Sequence, residues 1–276
     1  MKNRIPIFLG PCVLENEDFA MKIAEFLKKN LEPFESKIDW YFKGSFDKAN
    51  RTSIDSYRGP GLEQGLKIFE KIKKQFQLKT ITDFHLPEQA QAIATVVDVL
   101  QVPAFLCRQT DMIAAGAEAA KKYHRILKMK KGQFLSPQET KNMVEKAAHF
   151  LPLEQILLTE RGSSFGYQNL IVDMTSFQYM KDFGVKVIFD ATHSTQKPGA
   201  LGKATGGQRR MIPHLARAAF AAGADGLFME CHPDPAQAKS DAATQVPLES
   251  VASIISEIIQ LKNLVDEFST YSWQGQ

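Results

Sequence analysis

Cysteine is scarce in this 276-residue chain. Cys12, Cys107 and Cys231 are an odd number and lie far apart, which excludes the disulfide framework of a small secreted domain. No run of about 18 apolar residues occurs, so no membrane span is expected. The N-terminus reads Met1-Lys2-Asn3-Arg4 and continues into a short apolar strand, without the longer apolar segment of a secretion signal. Charge of one sign is also lacking. Lys and Arg total 34 against 31 Asp and Glu, a net of +3, which argues against wholesale contact with nucleic acid or an anionic membrane. After the first predicted strand stands Gly10-Pro11-Cys12 in place of the glycine-rich turn of a dinucleotide-binding sheet. These absences leave a cytoplasmic globular protein, and its chemistry has to be sought in its motifs.

What is present is a steady alternation. Short runs rich in Val, Ile, Leu and Phe predict strands over 5–9, 39–43, 79–83, 97–102, 125–129, 155–159, 186–190 and 226–230. Amphipathic stretches predict helices over 17–30, 62–77, 87–95, 111–123, 137–150, 173–183, 209–222 and 248–268. Ser136 with Glu139 three residues on marks a helix start, and Gly184 and Gly223 stand where helices should stop. No linker or low-complexity tract divides the chain. Eight βα units over this length predict a single closed (β/α)8 TIM barrel, one domain spanning 1–276, with an open doubly wound sheet as the alternative. In such a barrel the site lies where strands end and the following loops begin.

Three strand ends carry metal-ligand chemistry. Cys12 follows strand one, His193 follows strand seven, Glu230 ends strand eight, and Asp241 lies in the last loop. One thiolate, one imidazole and two carboxylates suit a single divalent ion such as zinc, iron or manganese. Strands one, seven and eight are contiguous once a barrel closes. Taken singly, each residue is more often ordinary: a buried Cys, a His bonded to backbone, an Asp capping a helix. Pattern alone leaves His232 as a rival to His193.

Cations follow other strands. Strand two runs into Lys43-Gly44-Ser45-Phe46-Asp47-Lys48-Ala49-Asn50-Arg51-Thr52; Arg108 follows strand four, Lys130 and Lys131 strand five, and Arg161 strand six. Residues 121–131 hold six Lys or Arg, most of which up to Lys128 are expected to form a solvated basic face. The cations sit on separate loops with no aromatic-interleaved stripe, so nucleic acid is not the expected partner. Their number around one mouth exceeds the need of one phosphate and points to two anionic groups, or two substrates.

At these residues the sequence resembles a known family. Lys48-Ala49-Asn50-Arg51-Thr52, Arg58-Gly59-Pro60-Gly61, Cys107-Arg108-Gln109-Thr110-Asp111, Lys130-Lys131-Gly132-Gln133-Phe134, Thr159-Glu160-Arg161-Gly162, Asp190-Ala191-Thr192-His193-Ser194 and Glu230-Cys231-His232-Pro233 occur in order and are similar to the 3-deoxy-D-manno-octulosonate 8-phosphate (KDO-8-phosphate) synthases. The resemblance runs from Gly10 to about Pro247. It implies a cytoplasmic homotetramer of (β/α)8 barrels that condenses phosphoenolpyruvate with D-arabinose 5-phosphate and water, giving KDO-8-phosphate and phosphate for lipopolysaccharide biosynthesis.

The same resemblance implies residue roles. Cys12 places the chain with the metal-dependent members, where an Asn would mark the metal-independent ones. Cys12, His193, Glu230 and Asp241 match the metal ligands, which favours His193 over His232. Lys43, Ser45, Lys48, Gln101, Lys130 and Arg161 match the phosphoenolpyruvate site, with Lys131 as the alternative to Lys130. Asn50, Arg51 and Thr52 match the arabinose 5-phosphate site, with Arg108 reaching its phosphate from a neighbouring subunit. Lys48, His193, Asp241 and Cys12 are the expected catalytic set, with Lys48 or Asp241 managing the proton on the forming alkoxide. Ala204-Thr205 stands where the family often has Lys-Ser. Two alternatives are carried forward. One is 3-deoxy-D-arabino-heptulosonate 7-phosphate (DAHP) synthase, whose sugar-phosphate loop resembles Lys-Pro-Arg-Thr and is one residue shorter. The other is a non-catalytic sugar-phosphate binding barrel.

Overall fold

The computed structural model describes residues 4–51, 53–197 and 206–268. Eight strands carry the architecture: β1 (Ile5–Gly10), β2 (Ile38–Lys43), β3 (Lys79–Asp83), β4 (Val99–Val102), β5 (Ile126–Lys130), β6 (Ile156–Glu160), β7 (Lys186–Asp190) and β8 (Gly226–His232). They alternate with helices α1 (Glu17–Leu31), α2 (Leu62–Phe76), α3 (Gln89–Val96), α4 (Thr110–Tyr123), α5 (Lys141–Ala148), α6 (Ser176–Lys181), α7 (Ile212–Ala221) and α8 (Val251–Val265). Each strand pairs in parallel with the next. β8 returns to β1 in the register Ile7↔Leu227 through Gly10↔Glu230, which closes the barrel. The expected (β/α)8 barrel is therefore the fold, and the open sheet is not. Among the described residues no helix is long and apolar enough to cross a membrane.

The strands read as continuous apolar runs because both faces are covered. Successive side chains alternate: Leu227 and Met229 pack outward under the helices, while Phe228 turns inward. Phe8, Tyr41, Ile81, Val99, Leu157, Ile188 and Phe228 form the inner cluster. The larger outer cluster joins the strands to the helix faces, for example Ile68, Phe69 and Ile72 of α2.

Local signals act as expected at several ends. Ser136 N–H donates to Glu139 Oε2 at 2.8 Å, and Glu139 N–H donates to Ser136 Oγ at 3.3 Å, a reciprocal capping box. Gly184 and Gly223 take positive φ after α6 and α7. Other boundaries shift. The helix expected over 87–95 begins at Gln89, because the Gln89 side chain accepts from the N–H groups of His85 and Leu86 and holds that turn outside the helix. The strand expected from 97 begins at Val99, since Val97 N–H still bonds to Ile93 at the end of α3. The helices expected over 137–150 and 173–183 shrink to α5 and α6, with a 3-10 turn at Gln138–Thr140 before α5.

Short additions line the rim where the strands end. Ser163–Ser164 pairs with Leu170–Ile171 after β6, Gln196–Lys197 with Gly206–Gly207 after β7, and Val246–Pro247 lies beside the end of β8. Gly10 ends β1 against the backbone of β2: a Cβ there would sit 2.0 Å from the Lys43 carbonyl oxygen. Backbone cannot yield as a side chain does, so Gly10→Ala is expected to destabilise the fold by about 3 kcal/mol. Urea unfolding measures this, and an unchanged midpoint contradicts it.

Candidate active site

Cys12, Glu230 and Asp241 meet at the mouth of the barrel, each offering a ligand atom, with all three atoms within 4.8 Å of one another. The closure of β8 onto β1 brings Cys12 beside Glu230. The loop after β8 then folds back, with Asp241 at φ 49°, a left-handed conformation that Asp tolerates better than most residues. Cys12 Sγ donates to Asp241 Oδ2 at 3.3 Å. His193 stands at the edge of this group, its Nε2 3.8 Å from Glu230 Oε1 and 3.9 Å from Asp241 Oδ2. Its Nδ1 lies 3.0 Å from Asp190 Oδ1, which also accepts from the His193 backbone N–H at 3.0 Å. Nδ1 therefore carries the proton toward Asp190, and the Nε2 lone pair faces the acids, the usual arrangement of a metal-ligating histidine.

His232 is not in this group. Its Nδ1 accepts from Asp234 N–H at 3.0 Å, and its ring packs 5.0 Å from Phe19. Of the two histidines, His193 is the one that stands beside Cys12, Glu230 and Asp241.

The electrostatics suit a cation. Burial, then the charge of Glu230, pushes the Cys12 thiol well above its ordinary range. Burial also works against ionised Glu230, but Lys43, His193 and Lys48 outweigh it and hold the carboxyl well below the usual carboxylate range. Glu230 Oε1 accepts from Lys43 Nζ at 2.5 Å, whereas Glu230 Oε2 is buried with no hydrogen-bond partner. An orphaned carboxylate oxygen beside a thiol, a second carboxylate and an imidazole lone pair fits a divalent ion.

Beside this group a cavity of about 660 Å³ is lined by Lys43, Ser45, Lys48, Gln101, Lys130 and Arg161, and further out by Asn50 and Arg51. Lys43 Nζ also donates to the carbonyls of Pro11 and Cys12, at 3.2 and 2.7 Å. Lys48 Nζ lies 3.1 Å from Ser45 Oγ and 4.0 Å from Glu230 Oε1. Burial works to lower its pKa, but the charges of Cys12, Glu230, Asp83 and Asp241 raise it above the ordinary lysine value. Lys130 Nζ donates to Asp190 Oδ2 at 2.6 Å and sits 3.8 Å from the centre of the Phe228 ring. Arg161 is 4% exposed. One arm donates to Gln196 Oε1 at 2.9 Å, while Nη1 is buried without a partner. Among the described residues Lys43, Lys48 and Lys130 have carboxylates within 4.0 Å and Arg161 has none. Arg51 clasps the loop after β8, its guanidinium donating to Ser240 Oγ at 2.7 Å and to the Lys239 carbonyl at 2.8 Å.

Lys130 and Lys131 separate by strand geometry, because neighbours at a strand end face opposite ways. Lys130 lines the cavity. Lys131 is buried behind it, donating to Ser163 Oγ at 2.9 Å and lying 3.5 Å from Glu160 Oε2. Arg108 is exposed and is not among the residues lining its own chain's cavity. Thr52, Ala204 and Thr205 lie outside the described residues.

One expectation needs correction. Lys128 belongs to no solvated face; it is fully buried inside the barrel. It stands two residues before Lys130 on β5 and so points the same way, a period-two signal that reading 121–128 as a charge run obscures. Asp190, which orients His193 and pairs with Lys130, had no assigned role, nor had Asp83 and His85, a pair 3.1 Å apart on the cavity wall. Asp83 and Asp190 are the last residues of β3 and β7 and face the site. That position was the available signal for both.

Comparison with known proteins agrees with this architecture. The model of the DAHP synthetase I family matches residues 1–267. A relative in Nitratidesulfovibrio vulgaris (strain DP4), named 2-dehydro-3-deoxyphosphooctonate aldolase, is 49% identical over 94% of this chain and 92% of its own length. Proteins of the same name in Desulfatibacillum aliphaticivorans and Protochlamydia amoebophila (strain UWE25) are 48% and 46% identical, over 93% and 96% of this chain and 91% and 94% of theirs. With a family match from end to end of the barrel, and relatives near half identity over almost all of it, the chain belongs to the DAHP synthetase I family.

Proposed function

We propose that the protein condenses phosphoenolpyruvate with D-arabinose 5-phosphate and water to give KDO-8-phosphate and inorganic phosphate. The observation that carries this reading is the juxtaposition of a thiol–imidazole–carboxylate group with a cation-lined cavity at one barrel mouth. A binding barrel needs the cations alone. Three relatives named for the octonate, together with Asn50 in the lining of the cavity, favour the five-carbon sugar over the DAHP reaction.

Two phosphates and a carboxylate repel strongly in a confined site unless neutralised. Lys43, Ser45, Lys48, Gln101, Lys130 and Arg161 hold phosphoenolpyruvate, and the unpartnered Arg161 Nη1 supports an anion there. Asn50, Arg51 and Thr52 hold the sugar phosphate. Carbon three of phosphoenolpyruvate bonds to the aldehyde carbon, and the aldehyde oxygen takes a proton. The oxygen of water adds at carbon two, and phosphate leaves. Holding both substrates in reacting geometry replaces a costly encounter by an effectively unimolecular step. Cys12, His193, Glu230 and Asp241 would hold one divalent zinc, iron or manganese ion, which when bound would polarise the aldehyde and activate water. Asp190 keeps His193 in the ligating tautomer. Lys48, beside Ser45 Oγ and Glu230 Oε1, stands next to the forming alkoxide, whose proton falls to Lys48 or Asp241.

A homotetramer in the cytoplasm accompanies this reading. Phe105, Phe134, Phe165 and Tyr167 are exposed on the loops after β4, β5 and β6, and Arg108 lies on the first of these loops. An apolar rim of this kind supports a second copy seated there, with Arg108 serving its neighbour's cavity.

The direct test follows phosphate release from phosphoenolpyruvate. Release with arabinose 5-phosphate is expected to exceed that with erythrose 4-phosphate by at least about 100-fold in kcat/KM, a difference within reach of a site whose polar groups are matched to one substrate. The opposite preference points to the DAHP reaction, and no release with either sugar points to the binding barrel.

A further inference from the structure

Three lysines surround the Phe228 ring inside the barrel. Lys43 pairs with Glu230, and Lys130 pairs with Asp190. Lys128 has no carboxylate within 4.0 Å among the described residues. Its Nζ lies 4.7 Å from the centre of the Phe228 ring and 5.3 Å from that of Phe8, and its one polar partner is Gln101 Oε1 at 2.9 Å. Burial, then the neighbouring charge of Lys130, lowers its pKa well below the ordinary lysine value. An amine in a fully buried apolar setting is expensive to keep, and this one holds a single atom of one amide.

That atom decides which way the amide faces. A side-chain amide offers one acceptor and one donor group. The bond runs from Lys128 Nζ to Oε1, so Gln101 Nε2 is turned the other way. Gln101 lines the cavity, and among the described residues Nε2 has no protein acceptor within bonding distance. We propose that Lys128 is a positioning residue that locks the Gln101 amide with its N–H donors toward the phosphoenolpyruvate anion. Without that lock the amide is free to flip and present an oxygen to the anion. The inference rests on the reading of this cavity as the phosphoenolpyruvate site.

Steady-state kinetics of the metal-loaded enzyme test it, with phosphoenolpyruvate and arabinose 5-phosphate varied in turn. Loss of a hydrogen bond to a charged group corresponds to a weakening of roughly 10- to 100-fold. Lys128→Met, similar in shape but without a donor, is expected to raise KM for phosphoenolpyruvate by that factor. Its kcat and its KM for arabinose 5-phosphate should move less than about three-fold, since neither depends on the amide. Gln101→Leu should raise the same KM, and the double variant should be no worse than either single one. Lys128→Gln retains an N–H donor but adds an acceptor, so it should leave this KM raised, though by less than Lys128→Met does.

An unchanged KM for phosphoenolpyruvate in Lys128→Met beside a raised one in Gln101→Leu overturns the positioning role and leaves the site reading intact. An unchanged KM in Gln101→Leu removes Gln101 from the substrate site, and the inference goes with it. If Lys128→Met lacks the native circular dichroism spectrum, Lys128→Gln carries the test. A rise in KM for phosphoenolpyruvate alone supports the lock; wild-type kinetics with Gln101→Leu impaired, or equal damage to every kinetic parameter, overturns it.

Discussion

Prolonged treatment with a strong chelator is expected to abolish condensation, and one equivalent of zinc, iron or manganese per chain to restore it. The expected loss is at least about 1,000-fold, because polarising a carbonyl is worth several kcal/mol and each 1.36 kcal/mol is a factor of ten in rate. Cys12, Glu230 and Asp241 meet with His193 at their edge, a donor set that fits one divalent ion. The thiol is buried and disfavoured as an anion, two carboxylates crowd it, and one oxygen of Glu230 has no partner. Cys12→Ala is expected to behave like the chelated protein. Cys12→Asn should lose less, because an amide fills the space and can donate to Asp241 as the thiol does at 3.3 Å. Full activity in protein shown by elemental analysis to be free of divalent metal defeats this expectation, and equal losses in the two variants weaken the account of Cys12.

Lys48→Ala carries the second large effect. Its ammonium stands between Ser45 Oγ and the Glu230–Asp241 acids, facing the cavity where both anions are expected to meet. Removing a preorganised donor aimed at developing charge lowers turnover by about 100- to 1,000-fold. The fold should survive, since Glu230 keeps its closer partner Lys43. Affinity for the divalent ion should hold or tighten, because a neighbouring positive charge has been taken away. Stopped turnover with intact metal binding and a native circular dichroism spectrum is thus the expected result. Wild-type kcat/KM, or a chain that no longer folds, shows instead that Lys48 has no role in the chemistry or is needed to build the barrel.

Several parts of the site are legible along the chain because they are local. Cys12 and His193 lie just beyond strand ends, and Glu230 two residues before one, where apolar runs stop. The cations from Lys43 to Arg51 are crowded into one loop. Other parts are not local. Lys128 reads as one more charge in a basic run until β5 is seen to turn it inward beside Lys130. The same alternation separates Lys130 from Lys131, which a one-dimensional motif presents as equals. Asp190 is visible as a residue of its motif, but its hold on His193 Nδ1 and on Lys130 is a matter of distances.

The order of apolar runs, helix starts such as Ser136 and stops such as Gly184 was enough to specify eight βα units, because those preferences act within a few residues. The identity of the ligand types and the excess of cations after strands were equally open to reading. Which groups meet depended on closure of the sheet: Cys12 and Asp241 are 229 positions apart and touch through the pairing of β8 with β1. Which histidine turns inward, which lysine faces the cavity and which way the Gln101 amide points follow from packing and hydrogen bonding in the closed barrel, since each is a choice between nearly equal local alternatives that only a neighbour from a distant strand can bias.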